Sequence, residues 1–164
     1  MKIFLIGMPG SGKSTVGQQL AYKLNLPLID LDAEIEKTEG RLVKEIFATD
    51  GEDYFRTVES QVLQNIAGLP QPCVIATGGG APCFHNGIEI INKAGTSIFL
   101  DVSIDELVAR VRSDRNRPLL LAGDLNELRM KLTVLRAKRL KFYEQANVIV
   151  NGSEIEDVLK QSGL

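Results

Sequence analysis

The chain has 164 residues, 44% apolar and 24% charged, with a formal net charge of −2 and a pI near 5.5. That length suits one domain whose core needs neither metal nor disulfide, and the slightly acidic balance excludes bulk electrostatic capture of nucleic acid or an anionic membrane. The two cysteines, Cys73 and Cys83, are too few for a disulfide framework and have no metal-ligand spacing, which fits a reducing cytoplasm.

The sequence opens on an apolar run, 2–6, expected to be a short buried strand. This leaves no room for a signal peptide, and no later apolar run approaches membrane-spanning length. Gly7-Met8-Pro9-Gly10-Ser11-Gly12-Lys13-Ser14 follows. It matches G-x-x-x-x-G-K-[ST] and leads into a helix predicted over 13–24, with Val16, Leu20 and Leu24 on one stripe. The pattern carries weight in this strand–loop–helix context. Its glycines let successive N–H groups turn inward as an anion nest at a helix N-terminus. Lys13 would reach the β- and γ-phosphates of a nucleotide, and Ser14 would place a hydroxyl on Mg²⁺.

A second strand is expected at 27–30, ending in Asp30-Leu31-Asp32. Alternation would send both carboxylates the same way, beyond the carboxyl edge of a parallel sheet, where such sheets bind ligands. The third strand, 73–77, ends without an acid. Asp30 is therefore the candidate for holding Mg²⁺ through water, leaving Asp32 to face a phosphoryl acceptor. The alternative for Asp32 is a helix cap at Ala33. Nearby arginines would favour its ionised form and weaken it as a base, leaving a mainly orienting role.

Short helices are expected at 32–39, 42–48 and 52–67. The last begins at Gly51-Glu52-Asp53-Tyr54-Phe55-Arg56. Arg56 and Glu59 could be an ordinary surface pair, or Glu59 could steady Arg56 as a carboxylate clamp. Gly78-Gly79-Gly80 follows the third strand; three glycines cost backbone entropy and imply a close approach, such as a bound substrate, unless they form a plain loop.

Further elements are expected at 86–94 (helix), 96–101 (strand), 104–112 (helix), 125–145 (helix), 147–151 (strand) and 154–161 (helix). The segment 113–124 reads as a mobile loop of lid length. Arg139 and Tyr143, four apart, share a face of the long helix, within a basic run that otherwise reads as solvated. His85 has no evident partner. The alternation of strands and helices argues a parallel sheet covered by helices.

In this order and spacing, Gly7–Ser14, Asp30-Leu31-Asp32, Phe55-Arg56 with Glu59, Gly78-Gly79-Gly80, Arg117-Pro118-Leu119-Leu120 and Arg139-Leu140-Lys141-Phe142-Tyr143 resemble the shikimate kinase family over essentially the whole chain. The resemblance implies an α/β fold: a P-loop, nucleoside-monophosphate-kinase-like, three-layer α/β/α domain. That domain has a five-stranded parallel sheet, a helical substrate-binding insertion near 31–60 and a lid near 113–124. It implies Mg²⁺-dependent transfer of the ATP γ-phosphoryl group to the 3-hydroxyl of shikimate, a step toward chorismate and the aromatic amino acids. By the same resemblance, Gly10, Ser11, Gly12, Lys13, Ser14, Thr15, Arg110 and Arg117 serve ATP, Arg110 near the adenine and Arg117 from the lid. Ser14 and Asp30, the latter through water, serve the metal. Asp32, Phe55, Arg56, Gly78, Gly79, Gly80 and Arg139 serve shikimate: Asp32 its hydroxyls, Arg56 and Arg139 its carboxylate, the glycines its ring. Lys13, Asp32 and Arg117 act in catalysis.

Gluconate-kinase-like and nucleoside-monophosphate kinases share the loop and lid. A nucleotide acceptor would need contacts for a base and a phosphate, whereas two arginines and an acid suit a small polyhydroxy acid. A regulatory protein with the fold but without catalysis would have no use for both carboxylates and all three arginines. A monomer is expected, with no nucleic-acid or membrane partner.

Overall fold

Buried parallel strands read as unbroken apolar runs, and the computed structural model, which describes residues 1–113 and 125–164, forms its sheet from those runs. The strands are β1 (Lys2–Ile6), β2 (Leu28–Asp30), β3 (Cys73–Ala76), β4 (Thr96–Asp101) and β5 (Val148–Asn151). They lie in the order β2-β3-β1-β4-β5, and every pairing is parallel. Strand order reverses about β1, the topological switch point outside which such sheets bind ligands.

The helices among the described residues are α1 (Lys13–Leu24), α2 (Leu31–Glu39), α3 (Val43–Ala67), α4 (Gly87–Ala94), α5 (Ile104–Ser113), α6 (Leu125–Tyr143) and α7 (Ile155–Ser162). A 3-10 turn occupies Ala81–Cys83. Side chains alternate between the two faces of the sheet. Ile3, Leu5, Val74, Ile98, Leu100 and Val150 pack on Val16 and Leu20 of α1 and Val158 of α7. Phe4, Ile6, Ile75 and Phe99 face the larger cluster formed with α2 to α6. The result is the expected three layers.

Several boundaries differ from the expectations. The helices expected at 42–48 and 52–67 are both present as the two halves of α3, the first running on to Gly51, where φ 82° and ψ 178° break the helix without a connecting loop. A positive φ of that kind is open to glycine at little cost. β3 stops at Ala76, one residue short of the expectation, and both the N–H and the hydroxyl of Thr77 donate to the Leu5 carbonyl, at 3.2 and 2.9 Å. α6 ends at Tyr143, since Gln145 and Ala146 turn back onto Phe142 and Tyr143 through their backbone N–H groups. β2 runs into α2 with no intervening loop. Ser113 closes α5; the rest of the expected lid, with Arg117, lies outside the described residues.

Candidate active site

The loop after β1 turns through Gly10 (φ 80°) and Gly12 (φ 90°), and Gly12 caps α1. Lys13, only 8% exposed, donates from Nζ to the carbonyls of Gly7 at 2.9 Å and Met8 at 2.8 Å. Its ammonium is thus held within the loop at the mouth of α1. A cleft of about 810 Å³ opens here, walled on this side by Gly10, Gly12, Lys13, Ser14 and Thr15. Ser11 differs: its side chain is fully buried and its Oγ has no hydrogen-bond partner, so only its backbone is available to a ligand.

Asp30 and Asp32 line the same cleft, but not by strand alternation. The strand ends at Asp30, whose Oδ1 accepts from the Ala33 N–H at 3.1 Å and caps α2. The cap expected as the alternative role of Asp32 therefore belongs to Asp30. Asp32 sits in the first turn of α2. Burial pushes its carboxyl above the usual range, and Asp30 adds to the shift. Lys13 pulls it back, Glu36 raises it, and Arg56 lowers it. The expectation that neighbouring arginines would leave it a weak base is corrected: burial and the second carboxylate outweigh them.

The three glycines make room for side chains of the chain itself. A Cβ at Gly78 would meet the carboxylates of Glu59 at 3.0 Å and Asp32 at 3.2 Å. At Gly79 it would meet Nη1 of Arg139 at 2.8 Å and Pro9 at 3.0 Å; at Gly80 it would lie 2.6 Å from Cζ of Arg56. One stretch of backbone therefore gathers two carboxylates and two guanidinium groups. The Arg56–Glu59 pair is no surface pair. Nη1 donates to Oε1 at 2.8 Å with side chains 8% and 3% exposed, and Glu59 Oε2 is left unpartnered. Burial raises the Glu59 carboxyl, against the pull of Arg56. Phe55 is buried and stacks on Phe47, 4.6 Å between ring centres.

Arg110, Ser153 and Glu154 line the cleft as well. Arg110 on α5 donates to the Gly10 carbonyl at 3.2 Å, to Ser153 Oγ at 2.7 Å and to Glu106 at 2.6 Å. It thereby ties the phosphate loop to the segment after β5.

A nest at a helix N-terminus, an acid across the cleft and guanidinium groups beyond it form the constellation of a small-molecule kinase. The family model described as shikimate kinase matches residues 9–161. The chain belongs to the shikimate kinase family. It is 42% identical over 158 residues to the shikimate kinase of Bacteroides thetaiotaomicron, covering 96% of this chain and 90% of that protein. A crystal structure of shikimate kinase from the same organism superposes with a TM-score of 0.92 at 37% identity, covering 100% of this chain and 99% of that one. The shikimate kinase from Acinetobacter baumannii, solved in complex with shikimate, gives a TM-score of 0.84 at 33% identity, covering 98% and 89%. The chain is a kinase with the P-loop kinase fold, as the sequence implied.

Measured against the shikimate kinase pattern, the cleft wall holds Gly10, Gly12, Lys13, Ser14, Thr15, Asp30, Asp32, Gly78, Gly79 and Arg110 together. Gly80, Arg56 and Arg139 adjoin that wall across the glycine stretch, while Phe55 packs inward. Pro9, Val16 and Gln19 also line the cleft; at the strand ends, sequence reasoning missed Thr77, Ser153 and Glu154. Their signal was position: each directly follows or lies within three residues of the carboxyl end of a parallel strand, β3 or β5. The Ser14 hydroxyl and the Asp30 carboxylate offer hard oxygen donors suited to Mg²⁺. Mg²⁺ needs few protein ligands when phosphates and water complete its octahedron.

Proposed function

We propose that the chain binds ATP and shikimate together at this cleft and transfers the γ-phosphoryl group to the 3-hydroxyl, giving shikimate 3-phosphate and ADP. The observation that carries this reading is the position of Asp32. Its carboxylate shares the cleft with Lys13 and Ser14 and feels the charges of both Lys13 and Arg56. An acceptor hydroxyl held by Asp32 would thus lie between the phosphate loop and the cations that suit a carboxylate.

In this reading the N–H groups of residues 10–15 cradle the phosphates, and Lys13 turns from its loop carbonyls toward the β- and γ-oxygens. Ser14, and Asp30 through water, would hold Mg²⁺, which would supply charge neutralisation for the transferring group. Arg56 and Arg139 take the substrate carboxylate, each offering parallel donors. Asp32 accepts the hydroxyl hydrogen bond, orients the oxygen toward the phosphorus and receives its proton as the bond forms. The raised carboxyl makes that last role more favourable than for an exposed aspartate. Arg110 borders the adenine. Arg117 keeps its assignment to the transferring phosphoryl group on sequence grounds alone.

The protein is proposed to act as a cytoplasmic monomer without nucleic-acid or membrane partners, a reading supported by its net charge and its two unpaired cysteines. Among the described residues no helix is long and apolar enough to cross a membrane.

The test is a coupled ADP-release assay with shikimate, gluconate and a nucleoside monophosphate in parallel, with and without Mg²⁺. Turnover confined to shikimate and dependent on Mg²⁺ is expected. Preferential turnover of either other acceptor would overturn the assignment.

A further inference from the structure

Arg56 has two carboxylate partners of opposite character. Glu59 is buried and accepts from Nη1 at 2.8 Å. Glu52 is 55% exposed, and its Oε1 accepts from both Nε and Nη2 at 3.3 Å. Those two N–H groups form one edge of the guanidinium, the kind of paired-donor edge with which arginine grips a carboxylate. The contacts are long for charge-assisted hydrogen bonds, which fall near 2.7–2.9 Å. Phe84 lies over the group, 4.3 Å from Cζ to the ring centre, and Gly80 packs against it. The ring and the glycine leave the guanidinium little freedom to turn away. A ligand carboxylate approaching Arg56 therefore meets Glu52 on the outer edge and Glu59 on the inner one.

We propose that Glu52 is an internal competitor for the substrate carboxylate: it occupies the outer edge of Arg56 in the empty site and yields that edge when an acid binds, while Glu59 stays in place. The inference rests on Arg56 as the carboxylate-holding residue and adds what sets the affinity there. Glu52 keeps the fork aligned before binding and exacts a penalty on each binding event, so a neutral replacement should bind the acid more tightly. A residue that merely oriented Arg56 would have the opposite effect when neutralised.

The experiment is calorimetric titration of shikimate, and of its carboxamide analogue, into wild-type protein, Glu52→Gln, Glu52→Ala and Arg56→Lys. Both Glu52 variants should bind shikimate about two- to fivefold more tightly, the range set by partly exposed ion pairs. Affinity for the carboxamide and for ATP should stay unchanged. Weakened shikimate binding in Arg56→Lys, together with unchanged or weaker binding in both Glu52 variants, would overturn the competitor role and leave Arg56 as the carboxylate residue. Equal tightening of acid and carboxamide would overturn it too. Unchanged affinity in Arg56→Lys would overturn the Arg56 reading and the competitor role with it.

Discussion

Tyr143 donates a hydrogen bond from its hydroxyl to the carbonyl of Gly79 at 2.6 Å. The same glycine makes room for the guanidinium of Arg139, one turn earlier on α6, so α6 is tied to the backbone stretch that its own arginine touches. Burial pushes the Tyr143 phenol well above its ordinary range, which keeps it protonated and able to donate across the working pH range. The ring is buried against Phe99, 5.0 Å between centres.

Tyr143→Phe should therefore act in two ways. Loss of a hydrogen bond with its acceptor left in place should cost about 1–2 kcal/mol of stability, readable as a lower Tm. Release of Gly79 should also raise the shikimate KM more than the ATP KM. A variant with wild-type Tm and both KM values unchanged would show that the bond is incidental.

Gly80→Ala tests why three glycines stand in a row. The new methyl group would sit 2.6 Å from Cζ of Arg56. A long side chain is easier to displace than backbone, so the chain should still fold, but pushing the guanidinium off the buried Glu59 carboxylate should lower the Tm. The guanidinium should not keep its place, and shikimate binding should fall by tenfold or more while ATP binding is retained. Unimpaired shikimate affinity would mean that Arg56 does not act from this position.

How much of this was legible in the sequence depended on the element. The strands were, because Ile3 to Ile6, Cys73 to Ala76 and Ile98 to Leu100 are buried runs between helical patterns. The phosphate loop was, because its spacing is itself the chemistry. The surroundings of Asp32 were not: a three-residue strand passing straight into a helix gives no signal that its period has changed. Nor was the burial of Arg56 and Glu59, since a charge pair three residues apart looks the same on an exposed helix. Only tertiary packing brings Gly80 and Phe84 onto that arginine. Gly51 marked the helix break correctly, and the helix expected from 52 does resume directly after it.

Cys83 offers a pH test that does not depend on turnover. Burial pushes its thiol up to about 11, with Arg139 and Arg56 pulling the other way and Glu59 raising it. The thiolate is the nucleophile, so alkylation should rise with pH along a curve displaced upward. At pH 9 roughly 1% of Cys83 would be ionised, against about half or more of an ordinary thiol. Mapping iodoacetamide labelling by mass spectrometry across pH 7 to 10.5 should show no plateau. A midpoint at pH 9 or below would contradict the partly buried setting of this side chain.

Asp32→Asn measures most directly whether the phosphate loop and the acid that shares its cleft serve one reaction. Because Asp30 caps α2, the substitution leaves the helix start intact, and asparagine keeps the shape while losing the charge and the capacity to take a proton. Misplacing a reacting atom by about 1 Å can cost about 10²-fold in rate. We expect kcat for shikimate phosphorylation to fall by at least that factor, with ATP affinity by calorimetry and Tm close to wild type. Near-normal turnover in Asp32→Asn would contradict the placement of the acceptor hydroxyl at this carboxylate.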